Sequence, residues 1–197
     1  EAVNQLREAK EAAIDGHTGQ VVVEPDAATR ARFDEMIGAA AREKEALKAY
    51  KDVVPRRADG TVIQVAANLG SLEEVEAAQE AGAMGVGLFR TELLFMRHMH
   101  LPSEDMQAET YAELARAFPD HPVIVRTLDI GGDKPISGVE FPEEENPFLG
   151  WRGIRMCLDR TDIFKVQLRA LLSAAVHGNL RVMLPMVSDV EEVRRTR

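Results

Sequence analysis

TVIQVAANLGSLEEVEAAQEAGAMGVGLFR, from Thr61 to Arg90, is the stretch that decides the fold class. The apolar run Val62 to Ala67 reads as a strand, and Ser71 followed by Glu74 forms a capping box that opens a helix. That helix stops at Gly82, and Gly85 to Phe89 is a second short strand. A helix between two strands is the connection that parallel pairing needs, because a tight turn joins only antiparallel neighbours.

The alternation continues toward the C-terminus. Pro102-Ser103 opens a helix with Gln107, Tyr111, Leu114 and Phe118 on one face, stopped by Pro119 and Pro122 before the strand Val123-Ile124-Val125. A long irregular segment runs from Thr127 to about Arg160. Ile163, Val166, Leu168, Leu171, Leu172 and Val176 then make an apolar helix ended at Gly178, followed by the strand Leu180 to Leu184 and a helix start at Asp189 with Glu192. Leu72-Glu73-Glu74-Val75 and Val190-Glu191-Glu192-Val193 repeat the same helix opening just after a strand. Four βα units define an α/β protein. They fit the first half of a TIM-type (β/α)8 barrel, which takes about 250 residues when complete; a small flavodoxin-like open sheet is the other option.

Toward the N-terminus the pattern changes. Phe33, Ile37, Ala40, Leu47 and Tyr50 make a narrow apolar seam on one long charged helix between Pro25 and Tyr50, a linker or coiled-coil partner, closed off by Pro55, Arg56, Arg57 and Asp59-Gly60. Before it, Glu1 to Glu24 holds a turn at Asp15-Gly16-His17 and the strand Val21-Val22-Val23. The expected division is therefore 1–24, a linker helix over 25–60, and an α/β region over 61–197.

Composition narrows the function classes. With 45% hydrophobic and 29% charged residues among 197, the chain is globular. Its 24 basic against 33 acidic side chains, a net charge of −9, leave no electrostatic footprint for nucleic acid or an anionic membrane. A single cysteine, Cys157, allows no internal disulfide and reads as a small buried apolar group. No apolar run approaches a membrane span, and the first residues do not form a signal peptide, so a cytoplasmic location is expected.

Ligands of parallel α/β folds bind at the carboxyl ends of the strands, where this sequence places Asn68, Arg90 and Arg126. Two guanidinium forks at neighbouring strand ends make an anion clamp for phosphate or carboxylate. The alternative is that each arginine snorkels to the rim or pairs with a local acid such as Glu92 or Asp129. Gly131-Gly132-Asp133-Lys134 lacks Walker spacing, and its glycines equally serve a tight turn. The connection through Phe141 to Arg152 is long enough to be functional, and Arg152 and Arg155 add positive charge. His98 and His100, near Met96 and Met99, read as a solvated loop rather than a metal pair; His17 and His121 read as surface residues, and His177 suits a helix C-terminus.

Three words carry a family resemblance: Gly87-Leu88-Phe89-Arg90-Thr91-Glu92, the run from Val125-Arg126-Thr127-Leu128-Asp129 to Gly131-Gly132-Asp133-Lys134, and Glu144-Glu145-Asn146-Pro147-Phe148-Leu149-Gly150-Trp151-Arg152. Together they resemble Enzyme I of the sugar phosphotransferase system, the phosphoenolpyruvate-protein phosphotransferases, from about Gly19 to Arg197; pyruvate phosphate dikinase and phosphoenolpyruvate synthase share looser versions. The resemblance implies a barrel that binds phosphoenolpyruvate and Mg²⁺ and passes the phosphoryl group to a histidine on a swivelling domain. From there it goes to a histidine-containing phosphocarrier protein for sugar uptake. It implies that Arg90 and Arg126 bind the phosphate, that Arg152 is a further arginine near the mouth, and that Asn68 and Asp129 line the pocket. A homodimer is expected with it.

The departures define what part is present. The family's Thr-Ser-His phosphorylation word and its carrier-docking helical domain are absent from this sequence, and Cys157 does not match the family's catalytic cysteine. The expected reading is an internal fragment: the tail of the swivelling domain over 1–24, the linker helix, and the first half of the barrel over 61–197. The Mg²⁺-binding acids then lie in the other half, and the fragment alone is inactive. The competing expectation is a non-catalytic half-barrel that serves as an interaction or regulatory module.

Overall fold

The computed structural model describes residues 6–97, 100–132, 136 and 138–197. They divide into two compact units, Glu1–Asp52 and Val53–Arg197. In the first, β1 (Ala12–Asp15) and β2 (Gln20–Val23) form an antiparallel hairpin in the register Ala12↔Val23 to Asp15↔Gln20. The sequence pattern announces the turn but not β1. Asp15 closes the turn by accepting from the His17 backbone N at 2.9 Å and the Thr18 hydroxyl at 2.6 Å. The long helix α1 (Ala27–Leu47) follows, its first turn capped by the Asp26 carboxylate, which accepts from Thr29 N at 2.7 Å. Of its expected seam, Phe33 is buried while Ile37 and Leu47 are exposed.

The second unit carries a parallel sheet of β3 (Ala67–Leu69), β4 (Val86–Arg90), β5 (Val123–Arg126) and β6 (Leu180–Met183), in that spatial order. Strands that pair strictly in chain order build a (β/α)8 barrel. A doubly wound flavodoxin-like sheet reverses its order at a switch point, so that option falls. Between the strands run α2 (Val75–Glu80), the short α3 (Glu92–Met96), α4 (Glu104–Ala117), α5 (Gly153–Asp159) and α6 (Thr161–Ala174), and α7 (Val190–Thr196) follows β6. Among the described residues no helix is long and apolar enough to cross a membrane.

One apolar cluster joins Val86, Phe89, Val123 and Val125 of the sheet to Tyr111, Leu114 and Phe118 on the α4 side and Ala170, Leu171 and Ala174 of α6. A second gathers Leu128, Ile130, Ile154, Met156, Cys157, Ile163 and Phe164. That second cluster takes the described apolar side chains of the connection after β5 out of water and packs them against α5 and α6.

Three local expectations need correction. The first strand is not Val62 to Ala67 but Ala67–Leu69, because its partner β4 begins only at Val86; Val62 instead makes an isolated antiparallel bridge with Arg56. Asn68 therefore lies within the strand and not beyond it. The Ser71 capping box does not form: Ser71 precedes a single 3-10 turn, Leu72–Glu74, and the Glu74 carboxylate accepts from Gly70 N at 2.8 Å. The segment from Thr127 to Arg160 is not wholly irregular, since it ends in α5. Elsewhere the caps hold. Ser103 accepts from Met106 N at 3.2 Å to start α4, and Asp189 with Glu192 makes a complete capping box on α7.

Candidate functional site

Arg90 and Arg126 are the last residues of β4 and β5, and they are register partners across the parallel ladder. Neighbouring strands lie about 4.8 Å apart, and register partners point to the same face. The two guanidinium groups therefore rise from adjacent strand ends on the face opposite the buried Phe89 and Val125. Asn68 pairs with Leu88, two residues before Arg90 along β4, and is exposed. It stands on the same face but lower in the sheet, with Oδ1 close over Gly87.

The two arginines differ in their surroundings. Arg90 is exposed and forms no ion pair among the described residues. Arg126 keeps 16% of its side chain exposed and is held by two acids: Nη2 donates to Glu92, and Nη1 lies 3.1 Å from Asp129 Oδ2. Its Nε is buried without a hydrogen-bond partner among the described residues. Asp129 also accepts from Arg152 Nε at 3.2 Å, so one carboxylate bridges two guanidiniums. Arg152 is 2% exposed, with its guanidinium 4.6 Å from the Phe148 ring centroid. Pairing with local acids therefore holds for Arg126, with Glu92 and Asp129, and among the described residues not for Arg90.

Among the described residues, Arg90, Arg126 and Arg152 stand at this mouth with Glu92 and Asp129. Guanidinium groups at a strand-end mouth, one of them open to solvent, have the chemistry to hold an anion. Glu92 and Asp129 are both engaged by arginine, and among the described residues no group of three His, Cys, Asp or Glu side chains converges to hold a metal ion. The described residues of this mouth do not fit a Mg²⁺ site.

Arg155, expected to add charge, is spent on the loop. Its Nη1 donates to the carbonyls of Leu149 and Gly150, both at 2.6 Å. Glu144 accepts from Trp151 N at 3.0 Å, closing the same loop from the other side. Cys157 is buried beneath the site, and burial, reinforced by the charge of Asp129, pushes its thiol up to about 12. Asp133 and Lys134 of the glycine segment, and His98 and Met99 of the histidine segment, lie outside the described residues.

Residues 44–197 match the family described as PEP-utilising enzyme, PEP-binding domain. The chain belongs to this family. It is 43% identical over 181 residues to the phosphoenolpyruvate-protein phosphotransferase of Staphylococcus carnosus, covering 92% of this chain and 32% of that protein. The namesake from Latilactobacillus sakei is 44% identical over 184 residues, covering 93% and 32%. A multiphosphoryl transfer protein of Rhodobacter capsulatus is 45% identical over 186 residues, covering 93% of this chain and 22% of the relative. The chain thus spans about a third or less of the length of these relatives. Membership in the PEP-utilising family agrees with the barrel order of the strands, and the strand ends that carry Arg90 and Arg126 fall inside the matched region.

Some residues that shape this site are not singled out by the sequence pattern. Thr91 and Gln167 are fully buried polar side chains immediately behind Arg90 and Arg126. A signal for Gln167 exists, because it falls between Ile163 and Leu171 on the apolar stripe of α6, where an amide is out of place unless it is hydrogen-bonded.

Proposed function

We propose that this chain is the phosphoenolpyruvate-binding part of a phosphoenolpyruvate-protein phosphotransferase. The whole enzyme passes the phosphoryl group to a protein histidine and on to a histidine-containing phosphocarrier protein for sugar uptake. The observation that carries this reading is the pairing of Arg90 with Arg126 at adjacent strand ends, one open to solvent and one braced by Glu92 and Asp129.

In this reading Arg90 and Arg126 grip the phosphate by their planar forks. Arg152 adds charge from behind, and Asn68 lines the lower part of the mouth. Asp129 orients Arg126 and Arg152 from within the same pocket. Phosphoryl transfer asks little covalent chemistry of the protein, so positioning and neutralising the moving group is the contribution these arginines make. We assign residues 1–24 to the tail of a swivelling domain, 25–60 to a linker helix and 61–197 to the barrel. Mg²⁺ as the metal, a homodimeric parent and a cytoplasmic location belong to the same proposal.

The test is made on the full-length protein. With phosphoenolpyruvate and Mg²⁺, it is expected to release pyruvate and to acquire an acid-labile phosphohistidine, and substitution of Arg90 by methionine abolishes both. Pyruvate formation that is unchanged in the Arg90 variant overturns the assignment.

A further inference from the structure

Behind the arginines runs a buried chain of side-chain hydrogen bonds that makes no use of their guanidinium groups. The Gln167 carboxamide, on α6, donates through Nε2 to Thr91 Oγ1 at 3.3 Å and to the Tyr111 hydroxyl oxygen at 3.2 Å. Its Oε1 accepts from the backbone N of Leu128 at 2.9 Å. The Thr91 hydroxyl donates to the carbonyl of Arg126 at 2.8 Å. The Tyr111 hydroxyl donates to Gln107 Oε1 at 3.1 Å, and Gln107 Nε2 donates to the carbonyl of Pro102 at 3.0 Å.

Each hydroxyl and each amide nitrogen in this chain donates to an acceptor, and the directions are mutually consistent. The four side chains are essentially sealed from solvent: Thr91 and Tyr111 are 0% exposed, Gln107 and Gln167 1%. Burial also pushes the Tyr111 phenol up, which keeps it a donor. Two amides, a phenol and a threonine are costly to take out of water and add less apolar contact than leucine or valine at the same positions. What such a network supplies instead is a single geometry.

The atoms it holds decide what that geometry is for. Thr91 directly follows Arg90, and its hydroxyl ties the end of β4 to the carbonyl of Arg126 at the end of β5. Gln167 grips Thr91 on one side and Leu128 N on the other, so one amide spans both strand ends and the backbone leading to Asp129. We propose that Thr91 and Gln167 are positioning residues that set the spacing of the Arg90 and Arg126 guanidiniums for one phosphate, with Tyr111 and Gln107 anchoring Gln167 to α4. This rests on the phosphoenolpyruvate reading of the arginine pair. A phosphate-sized ligand tolerates little error in the separation of its two forks, and misplacement by about 1 Å costs on the order of 100-fold in rate.

The experiment compares Thr91→Val, Thr91→Ser, Gln167→Met and Arg126→Met in the full-length protein. It measures kcat/KM for phosphoenolpyruvate and the melting temperature of each. Valine keeps the shape of threonine but can neither donate to Arg126 nor accept from Gln167, whereas serine does both. The expected result is a fall of about tenfold or more in kcat/KM for Thr91→Val and Gln167→Met, well below their melting temperatures, with recovery in Thr91→Ser. If Gln167→Met does not fold, the valine and serine pair decides alone. Near-normal kcat/KM in Thr91→Val, or equal loss in valine and serine variants, overturns the positioning role while Arg126→Met stays defective. Activity retained in Arg126→Met overturns the phosphate site itself, and this inference with it.

Discussion

Replacing Arg126 by lysine separates the two jobs that this side chain holds. In the native structure its Nη2 reaches Glu92, 2% exposed, while Nη1 reaches Asp129 at 3.1 Å. A single ammonium cannot satisfy both carboxylates from one point on a shorter stem, so one charge-assisted hydrogen bond is lost, worth about 1.5–3 kcal/mol. Asp129 keeps Arg152 at 3.2 Å, which limits the damage to one partner. The expected cost is about 2 kcal/mol, a melting temperature lower by roughly 4–8 °C for a unit of this size. Phosphoryl transfer should suffer more. Removing a donor aimed at developing charge costs about 100- to 1,000-fold in rate. The assay is rapid-quench phosphorylation of the full-length protein by phosphoenolpyruvate, at a temperature where the variant is folded by circular dichroism. Near-normal transfer refutes the clamp. Loss of transfer that only tracks unfolding refutes the claim that Arg126 acts on the ligand.

Two further outcomes follow from the same structure. Cys157, buried and with its thiol pushed up to about 12 from an ordinary 9.0, should resist iodoacetamide in the native protein and react once unfolded. Below pH 9 it contributes no pH dependence. Between about 9 and 12 the unfolded thiol ionises while the native one does not, so this thiol lowers stability by up to about 1.4 kcal/mol per pH unit; Cys157→Ala removes that share of the slope in pH-dependent urea melts and leaves the share of the buried Tyr111 phenol, which is also pushed up. Gly153 has φ of +54°, and a Cβ there would stand 2.9 Å from Met186 Cγ and 3.1 Å from the Pro185 carbonyl. Gly153→Ala should therefore lower stability by about 1–3 kcal/mol, read as a lower urea midpoint.

How far the sequence can be read depends on whether local chemistry or pairing partners set each feature. The Asp189 cap and the α4 stripe of Gln107, Tyr111 and Leu114 are legible because they rest on neighbours within one turn. The start of β3 is not, since Val62 to Ala66 has the apolar pattern of a strand but finds only isolated backbone hydrogen bonds, to Pro55 and Met84, rather than a continuous ladder. Helix α5 escapes because it is seven residues long with no side-chain cap at Arg152, so neither periodicity nor punctuation announces it. At the site, Arg90 and Arg126 follow from their places at the ends of apolar runs. The unequal engagement of the two, and the Asp129 bridge to Arg152, depend on contacts between residues far apart in sequence, such as Asp129 with Arg152 and Leu128 with Cys157, that no local rule encodes.

If Arg90 and Arg126 together receive the phosphate of phosphoenolpyruvate, a crystal structure of the full-length protein with phosphoenolpyruvate and Mg²⁺ will show it. Phosphate oxygens are expected at about 2.7–2.9 Å from nitrogens of both guanidiniums, with Arg126 still in contact with Glu92. A ligand bound elsewhere, or touching neither arginine while the protein remains active in the crystal, would show that the two strand ends are not the phosphate site.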